Sequence, residues 1–269
     1  GAISEGFTAN LVVINDLEEF GIEKVVHQGE IVFDDGRVLP KQPDYNYKSF
    51  LDSVNISKTF SASDFIIPFE EDKKSVKINV IESTGDSLIT KKLIKKWPVQ
   101  TIEGITQIRG DVAQDIIKIA VLERHHNLGN KTLGLIRGLN IKNGAIASTV
   151  AHDNHNLIVV GTNDRDMARL SNEMIARGGG MGALIDGNLS FFPLKIAGLM
   201  SNEKLPEIIT NYQNVKNAGQ EMGSSLENIF MTLSFMALAV IPELRITDMG
   251  IVDVNAFEII DLIVREEEQ

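Results

Sequence analysis

The chain has 269 residues, 37 acidic and 26 basic, giving a formal net charge of −11 with histidine neutral. That excess of acid argues against a nucleic-acid binder, because phosphate recognition wants a broad basic face and the one dense basic block is Lys91-Lys92-Leu93-Ile94-Lys95-Lys96. Hydrophobic residues at 43% and charged residues at 23% fit a globular chain with a sizeable core, and the absence of cysteine removes disulfides, thiolate metal sites and cysteine nucleophiles together.

Residues 1–14 lack a basic, apolar leader, and the longest mostly apolar stretch, Phe230 to Pro242, contains Thr232 and Ser234 and falls short of the roughly 20 residues a bilayer requires. A soluble, cytoplasmic protein with no membrane partner is expected. Leu11 to Ile14 reads as a short strand, and Lys24–His27 with Ile31–Phe33 as a hairpin turning at Gln28-Gly29-Glu30, followed by a second turn at Asp34-Asp35-Gly36. So few apolar residues cannot bury a core, so residues 1–39 are expected to complete a sheet supplied by something else. Residues 40–58, with two prolines and little periodicity, read as a linker.

From residue 59 the chain predicts an α+β domain, a layered mixed sheet with helices. Strands are expected at Phe65–Ile67, Val76–Ile81, Ile116–Leu122, Thr132–Ile136, Ala145–Val150 and Leu157–Val160. A helix capped near Asn163-Asp164 should present Met167, Leu170, Met174 and Ile175 on one face and stop at Gly178-Gly179-Gly180. Gly178 to Gly182 lacks a P-loop lysine and reads as a helix stop with a flexible turn. Residues 183–192 form a hairpin signal at Asp186-Gly187-Asn188. Glu203 to Ala218 reads as a helix ended by Gly219, with Leu205, Ile208, Ile209, Tyr212 and Val215 as its apolar face. The lysine block at 91–96 and the tail Arg265-Glu266-Glu267-Glu268 read as solvated, and Phe230–Met236 as core.

Four of the five histidines fall in two clusters. His152-Asp153-Asn154-His155-Asn156 lies between two expected strands, where a rigid sheet can hold loop residues within reach of a ligand; His152 and His155 could bind a metal or a polar group, or Asp153 and Asn156 could simply close a turn. Glu123-Arg124-His125-His126 ends an apolar strand, where Glu123 could pair with Arg124 or orient a histidine, or form a solvated strand end. Gly161-Thr162-Asn163-Asp164 could offer backbone N–H groups to an anion or serve only as a cap.

Several long motifs carry a resemblance: Gly144-Ala145-Ile146-Ala147-Ser148-Thr149-Val150-Ala151-His152-Asp153-Asn154-His155-Asn156, Val160-Gly161-Thr162-Asn163-Asp164, Ile196-Ala197-Gly198-Leu199-Met200-Ser201, Phe230–Phe235 and Ile241-Pro242-Glu243-Leu244-Arg245. Over about residues 59–260 the chain resembles the carboxy-terminal domain of bacterial adenine deaminases. Residues 1–39 are similar to the segment that returns to the small β-sandwich of amidohydrolases after their catalytic barrel. The resemblance implies metal-dependent hydrolysis of adenine to hypoxanthine and ammonia, in which a hydroxide carried by the metal attacks the ring carbon bearing the amino group. It implies manganese or iron held by a barrel that precedes this chain, a cytoplasmic homo-oligomer, and substrate-binding candidates His152, Asp153, His155, Asn156, Glu123 and His125, with no metal ligand and no assured catalytic residue here. The alternative is a non-catalytic assembly or binding module of an amidohydrolase with another substrate. Asn10, Asn154 and the single glycine in Asn127-Leu128-Gly129 depart from the family's usual pattern.

Overall fold

A computed structural model describes residues 1–39, 45–85 and 87–265, and the chain divides into two compact units, Gly1–Asn46 and Tyr47–Gln269. The linker and tail readings therefore fall partly on residues 40–44 and 266–269, outside the described residues.

The first unit is an antiparallel meander of β1 (Leu11–Ile14), β2 (Ile22–His27), β3 (Glu30–Asp34) and β4 (Arg37–Val38). Its two tight turns, Gln28-Gly29 and Asp35-Gly36, have positive φ at both central residues, the geometry that matches the twist of paired strands. The Asn10 side chain accepts from the Gln28 N–H at 2.8 Å and fastens the first turn. None of this unit's described residues is buried, as expected of strands with so little apolar material.

The second unit opens with a 3-10 turn at Lys48–Phe50, followed by another at Ala62–Phe65 and by β5 (Ile67–Pro68). This corrects the strand expected at Phe65–Ile67. Ser61 and Asp64 form a reciprocal capping box that closes a helical turn through Phe65 and leaves only two residues extended. There follow β6 (Ser75–Ser83), β7 (Thr90–Ile102), β8 (Ile105–Ile108), β9 (Ile116–Leu122), β10 (Lys131–Arg137), β11 (Ala145–Ser148) and β12 (Leu157–Gly161). Next come α1 (Asp164–Ala176), β13 (Gly180–Ile185), β14 (Asn188–Pro193), α2 (Leu205–Glu221) and α3 (Ile229–Phe235). The hairpin β15 (Leu244–Thr247) and β16 (Gly250–Asp253) with β17 (Glu258–Ile260) completes the described chain.

Among the described residues ten strands form one mixed sheet in the order β14-β13-β11-β12-β9-β10-β6-β7-β8-β5, in which only β10 and β6 pair in parallel. Every residue of β9 is buried because both faces are covered, which is why its sequence is a nearly unbroken apolar run. Ile117, Ile119 and Val121 point to one face, against Val215 and Ala218 of α2, Phe230 and Leu233 of α3 and Leu244 of β15. Ala120 and Leu122 point to the other, against Met167, Leu170 and Met174 of α1 and against Phe60 and Phe65. Each such Ile, Val, Leu, Met or Phe side chain contributes ~1.5–3 kcal/mol on burial. The α+β class and its layering stand as expected from the alternation of strands and late helices.

The lysine run is the middle of β7, paired with β6 from Thr90 to Pro98, and stays solvated there, with Lys91 and Lys96 exposed; Lys92 reaches Asp253 at 2.7 Å and Lys95 lies over the Trp97 ring. Two further expectations are corrected. Gly180 and Gly182 begin β13 and do not continue a flexible turn; at Gly182 a Cβ would meet Leu170 and Met174 of α1 at 3.0 and 3.1 Å, so the missing side chain lets helix and sheet approach. α2 runs through Gly219 to Glu221, because this glycine packs against Ile229 and allows α2 and α3 to close. Its inward face is Ile208, Tyr212, Val215, Ala218 and Met222, while Leu205 and Ile209 are exposed. Among the described residues no helix is long and apolar enough to cross a membrane.

Candidate functional site

β9 lies between β12 and β10, with Leu122 opposite both Leu157 and Lys131. The loop leaving β9 and the loop entering β12 therefore emerge side by side at one end of the sheet. Ser148 shortens β11 by accepting from the Val150 N–H at 2.9 Å, so the strand expected to reach Val150 turns early into the histidine loop.

Glu123 does not pair with Arg124. Its carboxylate accepts from the N–H groups of His125, His126 and Leu128, the last two at 2.7 and 2.9 Å, and so folds the loop around itself. Burial pushes the Glu123 carboxyl up, but the three N–H groups of Leu128, His126 and His125 outweigh it and hold it below the usual carboxylate range. Stability from a carboxylate so lowered is fully present above its ordinary value of 4.5 and is lost as pH falls through the folded value. Glu123→Gln is therefore expected to cost about 2 kcal/mol at neutral pH, with the gap to wild type closing as acid is added below pH 4.5; urea unfolding at stepped pH measures it.

Arg124 is 1% exposed and faces three segments. Nε donates to the His155 carbonyl, Nη1 to the Ser53 carbonyl at 3.0 Å and the Ser53 hydroxyl at 3.2 Å, and Nη2 to the Ala197 carbonyl at 3.0 Å. With carbonyls and a hydroxyl as its partners, burial lowers the guanidinium to about 10, partly offset by the charge of Glu123. Gly198, at φ +70°, leaves room for it: a Cβ there would lie 2.9–3.1 Å from the guanidinium. The Arg124 backbone is held as well, its N–H by Asn156 Oδ1 at 3.1 Å and its carbonyl by the Asn55 N–H at 2.7 Å.

Asn156 is buried and also donates to Asp248 at 2.9 Å, so it braces the two loops from beneath. His125 Nε2 meets the Asn154 carbonyl at 2.7 Å. The His152 ring lies 4.9 Å from Phe235 and 5.5 Å from His155, and the His152 backbone N–H donates to the Ser234 carbonyl at 2.9 Å, tying the loop to the end of α3. Asp153 is exposed, whereas His125, His152 and His155 are half-buried. The fold thus gathers all six candidates, with Glu123 and Asn156 inside and the three histidines and Asp153 at the surface. Arg124 was missed as the central tie, and no local pattern marks it, since its acceptors come from residues 31 to 73 positions away. The N–H groups of Thr162 and Asp166 are already taken, by the Gly144 carbonyl and the Asn163 side chain, so that segment works as a helix cap.

A wide, mostly antiparallel sheet covered by helices on both faces, with a histidine-bearing loop cluster at one end, defines the domain class. The chain belongs to the adenine deaminase C-terminal domain family, whose model matches residues 87–258. It is 42% identical to an adenine deaminase of Dehalococcoides mccartyi over 97% of its own length and 44% of that protein. It is 40% identical to one of Moorella thermoacetica over 98% of its length and 38% identical to one of Clostridium botulinum over 99%, again 44% of each relative. The chain therefore spans under half the length of the curated relatives it matches.

Proposed function

We propose that this chain forms the carboxy-terminal part of an adenine deaminase, which exchanges the amino group of adenine for the oxygen of water to give hypoxanthine and ammonia in purine salvage. The observation that carries this reading is the likeness to proteins named adenine deaminase along 97% of the chain. Such a reaction takes a divalent metal, manganese or iron, that activates the water. In this reading the metal is held by the catalytic barrel expected before this chain. In this reading residues 1–39 complete that portion's small β-sandwich, and the loops at 125–128 and 152–155 wall the substrate pocket, with His152, Asp153 and His155 nearest the purine. The assembled protein is a cytoplasmic homo-oligomer.

A second reading, a non-catalytic assembly module, is favoured by the apolar side chains of Leu205 and Ile209, 56% and 59% exposed on α2. The test is ammonia release from adenine. The 269-residue chain is expected to release none above buffer, and a full-length protein carrying the barrel to release it in a chelator-sensitive way. Activity in the chain alone would overturn the division of labour, and inactivity of the metal-loaded full-length protein would overturn the function.

A further inference from the structure

We infer that His155 works at this surface as a neutral hydrogen-bond donor through Nε2–H, reading an uncharged acceptor such as the lone pair of a heterocycle's ring nitrogen, and not as a base or a cation. The identity of that heterocycle as a purine rests on the function proposed above.

The geometry fixes which ring nitrogen carries the proton. The Ala151 N–H donates to His155 Nδ1 at 3.3 Å, so Nδ1 is an acceptor and the proton resides on Nε2. The same two residues bond in reverse, the His155 N–H to the Ala151 carbonyl at 2.6 Å, and His155 adopts φ +52°, a conformation that histidine tolerates better than most side chains. Arg124 Nε holds the His155 carbonyl and so fixes its backbone, and turning the ring over would take the acceptor from the Ala151 N–H. Nε2 has no partner among the described residues and is not sealed off, so its N–H is available to a ligand.

The surroundings keep the ring neutral. Burial lowers its proton affinity first, followed by the neighbouring His152 and Arg124 and more weakly by His125, against which Asp153 acts in the opposite sense; the result lies below the ordinary 6.5. The exposed Asp153 carboxylate, close enough for its charge to act on the ring, disfavours an anionic ligand and can itself accept a ligand N–H. A donor next to an acceptor matches the edge of an aromatic heterocycle that offers a ring nitrogen beside an N–H.

Long-range nitrogen–proton correlation spectra of the isotope-labelled chain test the first half. At neutral pH His155 should show a protonated Nε2 and a bare Nδ1, titrating below 6.5; an Nδ1–H tautomer or an imidazolium would overturn the inference. The second half uses the full-length protein with adenine. His155→Gln sets an amide N–H near the place of Nε2–H, whereas His155→Asn sets one near Nδ1. The asparagine variant is expected to fall about 10-fold or more below the glutamine variant in kcat/KM, the scale of one neutral hydrogen bond. Equal losses in both would overturn the donor role. A full-length protein inactive on adenine would instead sink the proposed function and the purine assigned here, while the spectra would still decide the tautomer.

Discussion

Arg124→Met is expected to destabilise the second unit by ~3–5 kcal/mol, a large share of the ~5–15 kcal/mol that holds a typical domain folded. Methionine fills much of the volume of the side-chain stem, so the loss comes from polarity. The carbonyls of Ser53, His155 and Ala197 lose their donor together, and an unmet buried acceptor costs ~1–3 kcal/mol. Arg124→Lys keeps a charge but cannot fork to three segments, and should fall between wild type and methionine. The control is Arg137→Met, whose half-exposed side chain makes a 3.0 Å ion pair with Glu82 and should matter by no more than ~1 kcal/mol. Urea unfolding of the chain measures all three. An Arg124→Met midpoint equal to that of Arg137→Met would show that the three carbonyls find other donors.

His152→Ala and Asp153→Ala, made in a full-length protein, are expected to lower kcat/KM for adenine by roughly 100-fold, the scale of a positioning or acid–base group. Folding should change little. Asp153 is exposed, and His152 makes its principal ring contacts with Phe235 and His155, so either change should cost no more than about 1 kcal/mol. The opposite pattern, a lowered Tm with kcat/KM near wild type, would make the loop a structural turn and favour the assembly module. The contrast with Arg124 is informative, because its removal should first appear as lost stability and the removal of Asp153 as lost turnover.

Sequence alone determined the elements whose signals are local. The apolar run of β9, the Asn163 cap of α1 and the hairpin turn at Asp186-Gly187 each depend on residues within a few positions, and each forms as those residues predict. The α+β class follows from their order. The histidine loop was legible as a cluster because scarce polar residues stood between two apolar strands. Tertiary structure alone decided what those polar residues do. Glu123 turned from Arg124 to the backbone of its own loop, because three N–H groups lay closer to its carboxylate than any cation. Arg124 took carbonyls from segments remote in sequence, which strand pairing brought to one place. The glycines at 182 and 219 read as punctuation, yet they sit inside β13 and α2, since what they serve is close approach to a neighbouring element that a one-dimensional pattern does not contain. The lysines of β7 took their extended conformation from pairing with β6, a partner that the local charge pattern does not contain.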